Sequence, residues 1–267
     1  MKKNNNLFGV IFGFSLLVLF SAYVNAKTES LRVSIPKMPV HAESQHKGVL
    51  VDFVKVLAKK LEQDIDIKIV PFSRSIYYVS TGKVDFHLPF IKASADFLAN
   101  TPATAKNETK NNLKLKQYSH NFIYSDVTIF HVNFVLYSHI DSHIDLNEIE
   151  DYKIETDSAH LPFLKNVSLG SNCITCSLKK VQHKMTDGYI FADSSTDPLL
   201  QENKTLLPSI KREFYQKFAV KMLFPNTEKG RKLNKKISQV IANMRSSGEL
   251  APLLSTVDFS YDDWQLQ

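Results

Sequence analysis

Residues 48–71, GVLVDFVKVLAKKLEQDIDIKIVP, decide the fold. Val51, Val54, Leu57, Ala58 and Leu61 recur at helical spacing on one face, with Lys55, Lys59 and Lys60 on the other, so Gly48 opens an amphipathic helix. Ile65 to Val70 then alternates as a strand, closed by Pro71. Upstream, Leu31-Arg32-Val33-Ser34-Ile35 alternates in the same way and ends at Pro36. Downstream, Ser75 to Ser80 is compatible with a short helix that Thr81-Gly82-Lys83 ends. Val84 to Leu88 reads as a third strand stopped by Pro89. Strand, helix, strand, helix, strand in this rhythm argues for a parallel sheet covered by helices.

The pattern lapses between Lys92 and Gln117, a stretch rich in Asn, Thr, Lys and Ala that reads as a long surface excursion. Order resumes with the apolar, β-rich run Asn121 to Tyr137. Tyr152 to Glu155, Val167 to Leu169 and Tyr189 to Ala192 are short strand candidates between helical stretches. Glu213 to Phe224 is apolar and aromatic enough for another strand. The chain closes with a helix whose Leu233, Ile237, Val240, Ile241 and Met244 share one face. Gly248 ends it, and a short apolar segment, Leu250 to Leu254, follows.

The first 26 residues have the layout of a secretory leader: Lys2 and Lys3, an apolar run from Leu7 to about Tyr23, and Val24-Asn25-Ala26 at the cleavage site. The expected mature chain begins at Lys27, in the periplasm; the same run retained as a membrane anchor is the alternative. A 43% hydrophobic and 22% charged composition excludes disordered and collagen-like chains. The formal net charge of +6 falls to +4 once Lys2 and Lys3 leave with the leader. Lys229, Arg231, Lys232, Lys235 and Lys236 form the densest basic group. It reads as a solvated helix face, since no nucleic-acid motif accompanies it.

The only two cysteines form Cys173-Ile174-Thr175-Cys176. Export places them in an oxidising compartment, where a disulfide between them is the default. Redox catalysis would want the pair at a helix N-terminus directly after a strand. Gly170-Ser171-Asn172 reads instead as a loop, and a zinc site lacks two further ligands nearby. A local staple is the expectation.

Five motifs in order give the chain a resemblance to a known family. They are Gly48-Val49-Leu50-Val51-Asp52-Phe53-Val54, Thr81-Gly82-Lys83-Val84-Asp85, Phe122-Ile123-Tyr124-Ser125-Asp126, Met185-Thr186-Asp187-Gly188-Tyr189 and Ser247-Gly248-Glu249-Leu250. Together they resemble the type 2 periplasmic solute-binding proteins, specifically bacterial extracellular solute-binding family 3, which includes polar amino-acid binders. The resemblance implies an α/β fold of two lobes joined by two crossing strands, with ligand in the cleft between them. The lobes would be residues 27–126 plus 222–267 and residues 127–221. A cleft at the carboxyl ends of strands also follows physically, because helix N-termini present free amide groups there.

The departures from the family bear on the ligand. Its amino-acid binders carry a Thr-x-x-Arg segment after the third strand, whose arginine grips the ligand carboxylate. Leu88-Pro89-Phe90-Ile91-Lys92-Ala93 has no arginine. The glycine of the second-lobe anion-binding turn is also missing from Thr156-Asp157-Ser158-Ala159-His160, and Asp157 there disfavours an anion. The candidate ligand-binding residues are Arg74, Met38, Phe90, Lys92, Ser158 and Asp193. Arg74 would take a carboxylate or phosphate through its planar fork, or else tie down its own lobe. Met38 would wall the cleft or pack in the core. Phe90 and Lys92 lie at the cleft mouth, Ser158 bonds ligand or caps a helix, and Asp193 receives an ammonium group or caps a loop. His139 and His143, four apart, sit on a strand-like stretch and read as surface residues. Asp52 and Asp85 read as structural.

The sequence thus predicts a monomeric solute-binding protein that closes on a small polar ligand, without cofactor, metal or nucleic acid. It would serve an ABC-type permease or a membrane-bound sensor kinase or cyclase. The alternative is an enzyme on the same scaffold, of the cyclohexadienyl dehydratase type. Such a site needs a carboxyl general acid facing substrate-anchoring arginines.

Overall fold

The computed structural model describes residues 30–92, 118–161 and 163–265. The leader and nearly all of the excursion after Lys92 lie outside the described residues. The strands are β1 (Leu31–Pro36), β2 (Ile65–Val70), β3 (Phe86–Ile91), β4 (Phe122–Tyr124), β5 (Phe130–His139), β6 (Ile154–Thr156), β7 (Ser168–Leu169), β8 (Gly188–Ala192) and β9 (Ile210–Pro225). The helices are α1 (Val49–Lys60), α2 (Phe72–Ser80), α3 (Ile174–Gln182), α4 (Asp193–Glu202), α5 (Glu228–Ser246) and α6 (Leu250–Leu254).

The strands form one continuous sheet in the order β2-β1-β3-β9-β5-β8-β6-β7, with β4 also paired to β9. β1 is parallel to β2 and β3, and β6 is parallel to β7 and β8. These two parallel groups are the sheets of two lobes. The long antiparallel pair β5–β9 runs between them, in register from Phe130↔Val220 to His139↔Ile210 with one shift at Phe134/Val135. At the crossover, the buried Lys221 Nζ donates to the carbonyls of Ser125 at 3.2 Å and Asp126 at 3.3 Å. That ties β9 to the segment through which the chain leaves the first lobe.

α1 buries Leu50, Val51, Phe53, Val54, Leu57 and Ala58. Each large apolar side chain of that set contributes about 1.5–3 kcal/mol by leaving water. Its first amides are satisfied by the loop after β1: Val49 N donates to Val40 O and Leu50 N to His41 O, both at 3.0 Å. Gly48 holds φ 137°, and a Cβ there would lie 2.4 Å from His41 O. The helix start and the loop carrying His41 are therefore one unit.

Proline does not stop the third strand. β3 runs through Pro89, and its ladder to β9 shifts register between His87 and Phe90. The missing N–H of proline is absorbed by that irregularity. The basic cluster expected on a helix face lies on α5, exposed throughout. Asp85 accepts from Arg32 N at 2.9 Å, Nε at 3.1 Å and Nη2 at 2.9 Å, which anchors β1 beside β3. Asp52 is exposed on the first turn of α1 and pairs with Lys55 at 3.5 Å.

After α6 the chain leaves the first lobe and lies along the second. Phe259 O accepts from Asn133 Nδ2 at 3.2 Å and Asp262 O from Arg212 Nη1 at 3.0 Å. Trp264 Nε1 donates to Asp197 Oδ2 at 3.1 Å, and Gln265 Nε2 to Ile210 O at 2.8 Å. The division read from the motifs counts this tail with the first lobe, but its hydrogen bonds are to residues of the second. At its centre Arg212 pairs with Asp197 at 2.6 Å, with the Trp264 ring 4.8 Å from the guanidinium carbon.

Candidate ligand-binding cleft

The carboxyl ends of the parallel strands of both lobes face each other across a cavity of about 110 Å³. That is room for a solute the size of several water molecules rather than a peptide. Met38, Phe72 and Ile91 line it from the first lobe, and Phe130, Val132 and Phe134 from the crossing strand β5. The second lobe contributes Asp157, His160, Phe163, Phe191 and Ser195. The walls are thus largely aromatic and apolar, with a few polar groups. Among the described lining residues there is no arginine.

Four of the polar groups come in two pairs, and Lys37, exposed just past β1, also lines the cavity. Asp157, just past β6, accepts from the amides of Ala159 at 3.1 Å and His160 at 2.9 Å, and its Oδ1 lies 2.6 Å from His160 Nδ1. A carboxylate of the chain itself therefore occupies the amides that an anion-binding turn would offer a ligand. The His160 ring packs edge-on against Phe134 and Phe191, centroids 4.9 and 5.0 Å apart. The second pair spans the cleft: His41 Nδ1 is 3.0 Å from Pro39 O and 3.3 Å from Ser195 Oγ. Burial lowers the His41 pKa to about 4, so the ring is neutral at neutral pH. The tight turn that aims His41 inward places Val40 at φ 62°, rare for a β-branched residue.

Of the residues expected in the cleft, Met38 lines it, fixed by paired hydrogen bonds with Ala42 at 3.0 Å. Ser158 is exposed and lines an adjoining mouth pocket together with Met38 and Cys173. The structure does not bring the other four there. Phe72, the first residue of α2, takes the cleft position; Arg74, two residues on and about 200° round the helix, is exposed outside the cavity lining. Phe90 is buried behind the wall, stacked on Phe72 at 5.9 Å and edge-on to Phe163 at 5.3 Å, so it supports two lining rings. Lys92 is exposed past the end of β3.

Asp193 is buried at the start of α4 and turned into the protein. It accepts from Asn133 Nδ2 at 2.9 Å and Ser194 N at 2.6 Å. Burial, with the Asp197 charge, pushes its pKa up to about 6. Its place is the contact between α4, β5 and the C-terminal tail. The residues missed from sequence include Lys37, His41, Phe72, His160, Phe163, Ser195 and the phenylalanines of β5 and β8. Only His160 carried a local signal, standing in the quoted turn after β6.

Cys173 and Cys176 are disulfide-bonded, with Cα atoms 5.2 Å apart. They lie at the N-terminus of α3 rather than in a loop, since Cys173 is the N-cap of that helix. Among the described residues no group of three or more His, Cys, Asp and Glu is placed to hold a metal, and no helix is long and apolar enough to cross a membrane.

The family model of bacterial extracellular solute-binding proteins, family 3, matches residues 31–256. No curated protein matches the sequence significantly. Among solved structures, the chain is similar to a histidine kinase sensor domain that itself resembles periplasmic binding proteins (TM-score 0.64, 12% identity, covering 86% of this chain and 96% of that one). It is also similar to the substrate-binding protein of an amino acid ABC transporter (TM-score 0.58, 17% identity, 85% and 98% covered). A third similarity is to an ancestral amino acid-binding protein, a precursor of cyclohexadienyl dehydratase (TM-score 0.61, 12% identity, 86% and 96% covered). At these identities the likeness is one of fold.

Proposed function

The chain belongs to the bacterial extracellular solute-binding proteins, family 3, and from that premise we propose that it closes on a small solute with an aromatic or apolar body and one hydrogen-bonding end. The observation that carries this reading is the lining of the cleft. Phe72, Phe130, Phe134, Phe163 and Phe191 supply apolar walls, while Lys37, His41, Asp157, His160 and Ser195 supply the few polar groups. Such a site gains affinity by burying rings and selectivity from a small number of placed polar groups. A zwitterionic amino acid fits it poorly. Among the described residues no arginine lines the cavity to grip an α-carboxylate in a two-pronged bridge, Lys37 offers only a single exposed ammonium, and Asp157 already fills the amides of the second-lobe turn.

The binding reading places the protein, as a monomer, in the periplasm after removal of residues 1–26. There it serves an ABC-type permease or a membrane sensor; the fold likenesses include a protein of each kind. In the binding reading Asp157, held by two amides and 2.6 Å from an imidazole nitrogen, shapes the second-lobe turn and orients His160 toward the solute.

A thermal-shift screen over aromatic heterocycles, standard amino acids, polyamines, organic acids and sugars tests the ligand class. The expected hit is an aromatic compound whose stabilisation is lost in Phe191→Ala. Stabilisation by amino acids alone would overturn the ligand class, and turnover of arogenate or prephenate would make the protein an enzyme.

A further inference from the structure

We propose that Cys173 and Cys176 are a redox-active pair that exchanges electrons with thiol compounds at the mouth of the cleft. The bond between them closes the first turn of a nine-residue helix, with Cys173 as N-cap and Cys176 three residues on. Both sulfurs therefore sit at the positive end of the helix, where an anion is favoured. The Cys176 amide donates to Cys173 Sγ at 3.0 Å. After reduction the same amide is in place to hold a Cys173 thiolate, the arrangement that activates a cysteine.

Access is the second observation. Both cysteines are exposed, so an incoming thiol reaches Cys176 from solvent, and Cys173, whose sulfur leaves as the thiolate, lines a mouth pocket of about 380 Å³. The charged and titratable groups of that pocket are Lys37, Asp157 and Tyr189. Lys37 favours a thiolate. Asp157 opposes it, but its carboxylate is engaged by His160, and burial raises the Tyr189 pKa so that the phenol stays neutral. On α3 itself, Lys180 is paired with Glu155 at 2.9 Å.

The exchange balances as follows. The thiolate of an incoming dithiol attacks Cys176 Sγ, the S–S bond breaks, and its electron pair stays on Cys173 Sγ, the better leaving group. The second thiol of the donor then attacks its own sulfur in the mixed disulfide, and Cys176 leaves and takes a proton. The donor is oxidised to a disulfide and the Cys173–Cys176 pair is reduced by two electrons. The second proton stays on Cys173 or passes to solvent.

The test equilibrates the unmodified chain in buffers of graded reduced-to-oxidised glutathione ratio, traps thiols with iodoacetamide and reads the mass. The expected result is conversion from bonded to doubly alkylated protein within the accessible ratios. In Cys176→Ser, the thiolate absorbance of Cys173 should titrate at least one pH unit below the ordinary value of about 8.5. A pair that stays oxidised at every glutathione ratio overturns the proposal, and so does a Cys173 that titrates at the ordinary value. The equilibrium on the unmodified chain keeps the test decisive where the variant folds poorly.

Discussion

His41 Nδ1 lies 3.3 Å from Ser195 Oγ, and these two residues belong to opposite walls of the cleft. His41 rides on the loop after β1, while Ser195 sits in the first turn of α4. Phe90 against Phe163 makes a second contact between the lobes, 5.3 Å between centroids. The conformation seen is thus a closed one, with a polar and an aromatic contact among those that join the two walls. Closing on ligand is favoured to the extent that ligand adds contacts the open form lacks.

Removing the polar latch should open the molecule. A neutral hydrogen bond contributes about 1 kcal/mol, so Ser195→Ala should move the open-to-closed ratio about fivefold toward open. The radius of gyration from small-angle scattering should rise while the melting temperature of the free protein barely changes. An unchanged radius would mean that the latch does not govern closure.

Gly48→Ala should damage fold and cleft together. The substituted residue must keep φ near 137° and meets His41 O at 2.4 Å. Backbone strain of this kind costs about 1–3 kcal/mol, and relief requires moving the loop that aims His41. A drop in the urea midpoint with unchanged slope, together with weaker ligand-induced stabilisation, is the expected pair of results. A variant as stable as the parent would show that the loop yields freely.

Arg212→Ala should be among the most destabilising single changes. Arg212 and Asp197 are both buried, and Asp197 also accepts from Tyr137 at 2.7 Å and Trp264 at 3.1 Å. Burial pushes the Asp197 carboxyl up even with Arg212 beside it. Without the arginine, Asp193 and Asp197 are left as neighbouring buried acids, at a cost of about 3–5 kcal/mol. Truncation after Val257 keeps the ion pair and removes only the tail. It should therefore cost less in chemical denaturation than Arg212→Ala; the reverse order would show that the tail, not the pair, holds the second lobe.

Acid should weaken the fold. Burial lowers the pKa of His41 to about 4 and of His87 to about 3, from an ordinary 6.5. The unfolded chain thus binds more protons at these sites than the folded one, and stability falls as pH drops below about 6.5. Asp193 acts in the opposite sense: raised to about 6, it favours the folded chain as pH falls from 6 toward 4. The two histidines against Asp193 alone leave a net loss on the order of 2 kcal/mol between pH 7 and pH 5, which the raised Asp197 carboxyl reduces further. Urea midpoints at the two pH values measure this, and Asp193→Asn should enlarge the loss.

Arg74→Ala should leave both the free melting temperature and the ligand-induced shift unchanged, because the side chain is exposed and outside the cavity lining. A collapsed ligand shift would bring Arg74 into the site through a conformation other than this one.

The sequence alone determined the elements and their order. The helical spacing of Val51, Val54, Leu57 and Ala58 and the alternation of Ile65–Val70 are local consequences of which face is buried, so they are visible without any partner. Five short motifs in order likewise carried the family and, with it, the existence of a cleft. Pro89 misled because a proline stops a strand only where its missing N–H is needed, and the shifted ladder to β9 does without it.

The identity of the site was decided by tertiary structure. His41 and Ser195 are 154 positions apart, and no periodicity links residues that meet only when two lobes close. Phe72 and Arg74 share one turn, but successive helical residues point about 100° apart, so the docking of α2 alone chose the ring for the cleft and left the guanidinium in water. Asp157 looked like a repellent for a bound anion. Folding of the turn made it the anion itself, because its own amides lie within reach of its short side chain.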